Sequence, residues 1–183
     1  MSKHIALAGL FSIGFALASA AENQLLFDFE EDTQSWTKDW GLLQSPTQST
    51  RFAKSGNGSL SFNHHFTKKA ESVGVKFFSE SPMDYSATEG FEGFSAWVYL
   101  AGGNQWEVQM YVRTGEKYTW AQSRLYQNLG PGWHQLIMQA KEIPDLKDIR
   151  DIGILVKNFS LDITTDVFVD KVEAVIVTKN GKK

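Results

Sequence analysis

The sequence predicts an all-β chain, an antiparallel β-sandwich of jelly-roll type. Three observations carry that prediction: runs of period-two apolar alternation recur along the chain, turn-forming residues separate them, and helical periodicity is weak throughout. Residues 25–29 form the first strand. Residues 59–66 follow the turn Lys54-Ser55-Gly56-Asn57-Gly58, and residues 72–78 come next. Strands then fall at 94–100, 106–113 and 118–125, and at 133–138 after the turn Gly130-Pro131-Gly132. Residues 151–157 and 166–177 complete the set, with room for one short helical turn between 140 and 148. Short strands with turns at this spacing pack as two sheets.

The 183 residues divide into three parts. Lys3 and His4 open a basic start, residues 5–18 are apolar apart from Gly and Ser, and Ala18-Ser19-Ala20 is a small-x-small cleavage site. Residues 1–20 therefore read as a secretory signal peptide, too short to span as a helix. Residues 21–178 are one domain with room for a core, and residues 179–183 a disordered tail. The expected location is secreted, extracellular or periplasmic, with no membrane segment once the signal is removed. There are 18 basic and 21 acidic residues, no basic stripe and no cysteine. That balance argues against a nucleic-acid partner, and the core must hold the fold without disulfides. Six Trp and 13% aromatic residues exceed what a core of this size usually takes.

Alternation sorts the faces. Phe94, Ala96, Val98 and Leu100 face one way, and Ser95, Trp97 and Tyr99 the other. Val108, Met110 and Val112 oppose Gln109, Tyr111 and Arg113. Ile152, Ile154 and Val156 are core, leaving Gly153, Leu155 and Lys157 outside. An ordinary wet face carries Lys, Glu or Thr; here it carries rings and forked hydrogen-bonding groups. If these strands share one sheet, Trp97, Tyr99, Gln109, Tyr111, Arg113, Gln122 and Lys157 form one patch. Trp120 would join it if its strand faces the same way, which the pattern around 118–125 leaves open. Aromatic rings stack on the C–H faces of sugars while Arg, Gln and Lys bridge hydroxyls, so the patch suits a polysaccharide or oligosaccharide. The alternative is that a loop or terminal strand covers some of these rings. Trp106 and Trp133 stand at strand starts and read as core or edge packing. Trp36 and Trp40 either pack at the sandwich end or border the groove.

Asp28 and Glu30 alternate with Phe27 and Phe29, Asp170 lies inside an apolar strand, and the turn Ser55-Gly56-Asn57-Gly58 offers oxygen ligands. Hard oxygen donors from distant segments suit Ca2+. A buried Asp170 satisfied by backbone N–H groups or a Lys is the alternative.

Taken in order, Leu26 to Glu30, Trp36, Ser55 to Leu60, Met83-Asp84-Tyr85-Ser86, Phe94 to Tyr99, Val108 to Gly115, Tyr118-Thr119-Trp120, Gly132-Trp133, Ile149 to Ile154 and Val167 to Val172 resemble a known family. It is that of the galactose-binding-domain-like carbohydrate-binding modules attached to mannanases, glucanases and xylanases. The resemblance covers nearly all of residues 21–178. It implies a jelly roll with a glycan groove on a concave sheet, for β-mannan, β-glucan or xylan. It also implies a structural Ca2+, whose ligands carry over to Glu30 and Asp170, with Asp28 and Asn57 beside them. Such modules usually accompany a catalytic domain, and these residues contain none, so the protein either acts alone or recruits others to polysaccharide, a separate glycoside hydrolase being the partner this would imply.

A lyase or hydrolase on the same fold is the main rival, and an envelope protein-interaction module the third reading. Hydrolysis needs two carboxylates flanking the bond, and the groove strands offer no evident pair, with Glu107 read as lying on the other parity. His64 and His65 are adjacent and face opposite ways; His134 shares the parity of Leu136 and Met138 and reads as core. No nucleophile elbow, P-loop or zinc motif is present. The protein is accordingly expected to be non-catalytic.

Overall fold

The structure, a computed structural model, describes residues 21–67, 71–160 and 162–178. The expected signal peptide and tail lie outside these residues. In chain order the strands are β1 (Ala21–Phe27), β2 (Trp36–Asp39), β3 (Thr47–Ser49), β4 (Ser59–Phe66), β5 (Glu71–Met83) and β6 (Phe91–Leu100). Then come β7 (Trp106–Thr114), β8 (Thr119–Gln122), β9 (Tyr126–Leu129), β10 (Gly132–Gln139), β11 (Ile149–Asn158) and β12 (Ile163–Val177). The short turn expected after 140 is a 3-10 helix over Ala140–Glu142. The sequence missed β2, β3 and β9, and the strand expected over 118–125 is the shorter β8.

Two antiparallel sheets result. Sheet I runs β10-β6-β12-β4-β3, with β1 also on β12; sheet II runs β2-β5-β11-β7-β8, with β9 also on β7. The alternating apolar sets meet between them. Phe94, Ala96, Val98 and Leu100 of β6 are buried with Val108, Met110 and Val112 of β7 and Ile152, Ile154 and Val156 of β11. Trp36 and Trp106 join this core. In β12 the register against β6 shifts between Asp170 and Glu173, with Lys171 at φ 50°. This bulge changes the parity, so that Val169 on one side of it and Val172 and Ala174 on the other all point inward. It also marks where β12 exchanges β4 for β1 as its neighbour.

One expectation fails here. β6 lies in sheet I and β7 in sheet II, so Trp97 and Tyr99 cannot share a face with Gln109, Tyr111 and Arg113. Alternation shows which side of a strand is wet, not which sheet the strand joins. The residues between Leu100 and Trp106 carry the chain across the end of the sandwich.

Candidate functional site

The outer face of sheet II is built by register. Across β11 and β7, Asp151 opposes Arg113, Gly153 opposes Tyr111, Leu155 opposes Gln109 and Lys157 opposes Glu107. On the other side of β11, β5 brings Gly74, Lys76 and Phe78, and β2 ends at Asp39 opposite Gly74. Ala121 of β8 is in the core, which turns Trp120 and Gln122 outward. The facing that the sequence left open is thereby settled.

Tyr111 is fully buried although it points away from the core. Trp120 stacks on it at 4.2 Å between centroids and 16° between planes. Underneath lies Gly153, where a Cβ would come within 2.1 Å of the Tyr111 ring. The glycine therefore lets the phenol lie flat on the sheet. The Tyr111 hydroxyl donates to Asp39 Oδ2 at 2.5 Å. Burial and the Asp39 carboxylate push this phenol far above its ordinary range, so it stays a donor. Tyr111 is thus a pedestal for Trp120 rather than an open ring. Gly153→Ala is expected to cost about 1–3 kcal/mol by overpacking. Denaturant unfolding should report it, together with a changed near-UV signal from the displaced Tyr111–Trp120 pair.

Asp39 Oδ2 also accepts from Arg113 at 3.0 Å, and Arg113 Nε donates to Asp151 Oδ2 at 2.7 Å. Lys76 Nζ stands 3.7 Å from Asp39 and 4.0 Å from Asp151. Burial works against ionising Asp39, but Tyr111, Arg113 and Lys76 together hold its carboxyl below the usual range. Burial wins at Asp151 and raises it. The sequence reading missed both carboxylates, and it placed Glu107 wrongly: Glu107 shares the face and pairs with Lys157 at 3.3 Å. The side chain of Asp151 is only 1% exposed, too deep to protonate a glycosidic oxygen, so Asp39 and Asp151 serve as anchors for Arg113.

Trp40 follows Asp39 and is 62% exposed, against 38% for Trp120. Gly74 lies beneath both Trp40 and Leu155, where a Cβ would touch each of them and press on the Ile154 carbonyl at 3.1 Å. Trp40, Leu155 and Trp120 then line an apolar cleft of about 110 Å³. Leu155 also borders a neighbouring trough of about 290 Å³ with Ser72, Glu107, Gln109, Leu125 and Lys157. Of the expected patch, Gln109, Tyr111, Arg113, Trp120, Gln122 and Lys157 are together on this face. Trp40 was half-anticipated: of the two tryptophans in the segment, Trp36 went to the core and Trp40 to the groove.

Trp97 and Tyr99 lie instead on the outer face of sheet I, under the segment that connects β3 to β4. Phe52 stacks on Tyr99 at 4.4 Å and 17°. Tyr99 also meets Trp133 at 5.3 Å, and Lys54 Nζ sits 3.8 Å above the Trp97 ring. The covering-loop alternative holds for these two.

The same segment meets the expected metal residues. Asp170 accepts from the N–H groups of Lys54 at 2.6 Å, Ser55 at 3.0 Å and Lys171 at 2.6 Å. Glu30 accepts from Asn57 N at 2.9 Å and Gly58 N at 3.3 Å. Gly56 permits the approach, since a Cβ there would overlap the Glu30 carboxylate. Backbone N–H groups therefore satisfy Asp170, as the alternative to a metal supposed, and Glu30 as well. Yet neither acid forms an ion pair among the described residues. Burial, with Glu30 adding to it, raises Asp170 despite its three N–H donors. Two hard carboxylates on one turn, lacking a counter-charge, fit a calcium ion's donor preference. Asp28 is turned to Gln34, whose Nε2 donates to its Oδ1 at 2.9 Å. Asn57 contributes its main-chain N–H. No group of three or more His, Cys, Asp or Glu side chains is placed to hold a metal ion among the described residues.

A two-sheet jelly roll with ringed, forked residues on one outer face is the architecture of a β-sandwich carbohydrate-binding module. Residues 27–171 match the family of mannanase, galactose-binding domain-like modules, and the chain belongs to it. Its structure is similar to a family 28 carbohydrate-binding module specific for non-crystalline cellulose, at 18% identity and TM-score 0.63, covering 80% of this chain and 90% of that one. It is similar also to the first family 27 module of Caldicellulosiruptor saccharolyticus, solved with mannohexaose, at 10% identity and TM-score 0.63, covering 90% and 100%. The Paenibacillus barcinonensis Xyn10C xylan-binding domain matches at 17% identity and TM-score 0.53, covering 90% and 99%. No curated protein sequence matches the chain.

Proposed function

We propose that this module is non-catalytic and secreted, and that it binds a plant or algal-type polysaccharide along the outer face of sheet II. β-Mannan, β-glucan and xylan are its candidate ligands. The observation that carries the reading is the placement of Trp40 and Trp120 on either side of Leu155, with the second ring supported from below by Tyr111. Rings held in this way stack on sugar faces with little entropy left to lose. Gln109, Gln122 and Lys157 stand where hydroxyl groups would project. A separate glycoside hydrolase would supply the chemistry that this face lacks, because its acidic groups are committed to Arg113, Lys76 and Lys157. Affinity electrophoresis in gels containing each of the three polysaccharides tests the reading. Retardation in at least one is expected; free migration in all three, with calcium present, would refute it.

We propose further that Glu30 and Asp170 hold a structural calcium. The ion would supply the positive charge that these two acids lack, and would tie β1 and β12 to the turn between them. A ligand bound only by the folded state stabilises it by about 2.7 kcal/mol at a hundredfold excess over Kd. EDTA is therefore expected to lower the melting temperature by roughly 5–10 °C, and Asp170→Asn to abolish that response. An unchanged melting curve in EDTA removes the metal from the account.

A further inference from the structure

The outer face of sheet I carries a second depression, away from the segment that covers Trp97 and Tyr99. Its origin is legible in the strands. The two middle strands meet there at short residues, Gly93 of β6 opposite Val175 of β12, with Ser95 two residues along β6 opposite Glu173. The flanking strands present longer ones, Gln135 and Ile137 on β10 and Asn23 on β1. A cleft of about 570 Å³ results, about twice the trough on sheet II. It crosses four strands, a span of about 14 Å at the usual strand spacing.

Its polar groups are set in place. Glu173, with a side chain only 6% exposed, accepts from Asn23 Nδ2 at 3.0 Å and from Ser95 Oγ at 3.3 Å. Lys171 Nζ holds the other carboxylate oxygen at 3.4 Å. The side chains of Gln135, Glu92 and Lys141 have no partner among the described residues. Ile137, 42% exposed, and Val175 give the cleft its apolar surface. The lining thus combines amides and a hydroxyl with aliphatic surface, and balances one free carboxylate against one free ammonium. That chemistry matches a neutral saccharide, whose C–H faces and hydroxyls alternate, better than a polyanion or an apolar peptide.

We infer that this cleft is a second saccharide site for a short neutral oligosaccharide, on the sheet opposite the Trp40–Trp120 face. No ring stacks in it, so it binds more weakly than that face. Two sites on opposite sheets allow one module to bridge two polysaccharide chains, which raises avidity without new contacts.

Amide chemical shifts of the uniformly labelled chain, titrated separately with mannohexaose, xylohexaose and cellohexaose, test the inference. At least one sugar is expected to move the amides of Asn23, Ser95 and Gln135 as a group, at higher concentration than those around Leu155. In Trp40→Ala/Trp120→Ala the group around Leu155 is expected to stop responding while the Ser95 group persists. In Val175→Phe, which fills the cleft from its wet side, the reverse is expected. A Ser95 group that none of the three sugars moves, at ten times the concentration that saturates the other face, overturns the inference. So do shifts there that follow protein concentration alone, which would assign the cleft to a second copy of this chain. A silent Leu155 group beside a responding Ser95 group would instead count against the sheet II reading alone.

Discussion

Replacing Trp120 by alanine is expected to weaken polysaccharide binding by about thirtyfold, and Trp40→Ala to weaken it comparably. Covering one face of an indole removes about 80 Å² of apolar surface from water, worth about 2 kcal/mol. A loss of that size is a factor of about thirty in Kd. The two variants should differ in stability. Trp40 is mostly exposed, and its removal uncovers little; Trp120 shields the fully buried Tyr111, and its removal wets that ring. Calorimetric titration with mannohexaose or with the polysaccharide that retards the wild type measures affinity, and thermal unfolding measures the rest. Wild-type affinity in either variant would show that its ring does not touch the glycan.

Removing Arg113 is expected to be the most damaging surface-side change to stability. Arg113→Met leaves Asp151 buried, with Lys76 at 4.0 Å as its remaining cation and one oxygen already without a partner. Breaking one side of such a pair costs about 3 kcal/mol, or roughly 6–12 °C in a domain of this size. The same variant frees Asp39 from one of its donors and loosens the Tyr111 hydroxyl, so glycan binding should fall as well. The double variant Arg113→Met/Asp151→Leu removes both charges and should recover much of the stability. If the double variant is no better than the single one, the loss comes from packing of the guanidinium stem rather than from an abandoned charge.

The core was legible because its positions obey simple parity. The alternating sets in β6, β7 and β11 needed only to be counted, and the same count would have placed Glu107 and Asp151 on the wet face with Arg113 and Lys157. Sheet membership was not legible, because Leu100 and Trp106 are only a few residues apart and the chain could equally have turned back or crossed over. Trp36 and Trp40 lie in one polar segment. What separates them is the pairing of Trp36 with Phe77 and of Asp39 with Gly74 on a four-residue edge strand. Tyr111 was correctly assigned to the outer face, yet its exposure depends on Trp120, whose strand has no clean alternation. The two acids at the turn were visible as a pair. Their partners were not, since backbone N–H groups leave no mark in a sequence.

The position of β12 bears on how the protein comes into being. It is the last of the described strands and the middle strand of sheet I, bordered by β6 on one side and by β4 and then β1 on the other. Until residue 177 has left the ribosome, β1 has no neighbour, β6 has only β10, and β4 has only the three residues of β3 to close against. Most of the molecule's pairings are likewise between distant segments, which slows assembly. Sheet I of a nascent chain of this design stays incomplete until β12 has emerged. For a protein proposed to be threaded across a membrane before it folds, that delay keeps the polypeptide in a form the export channel can accept.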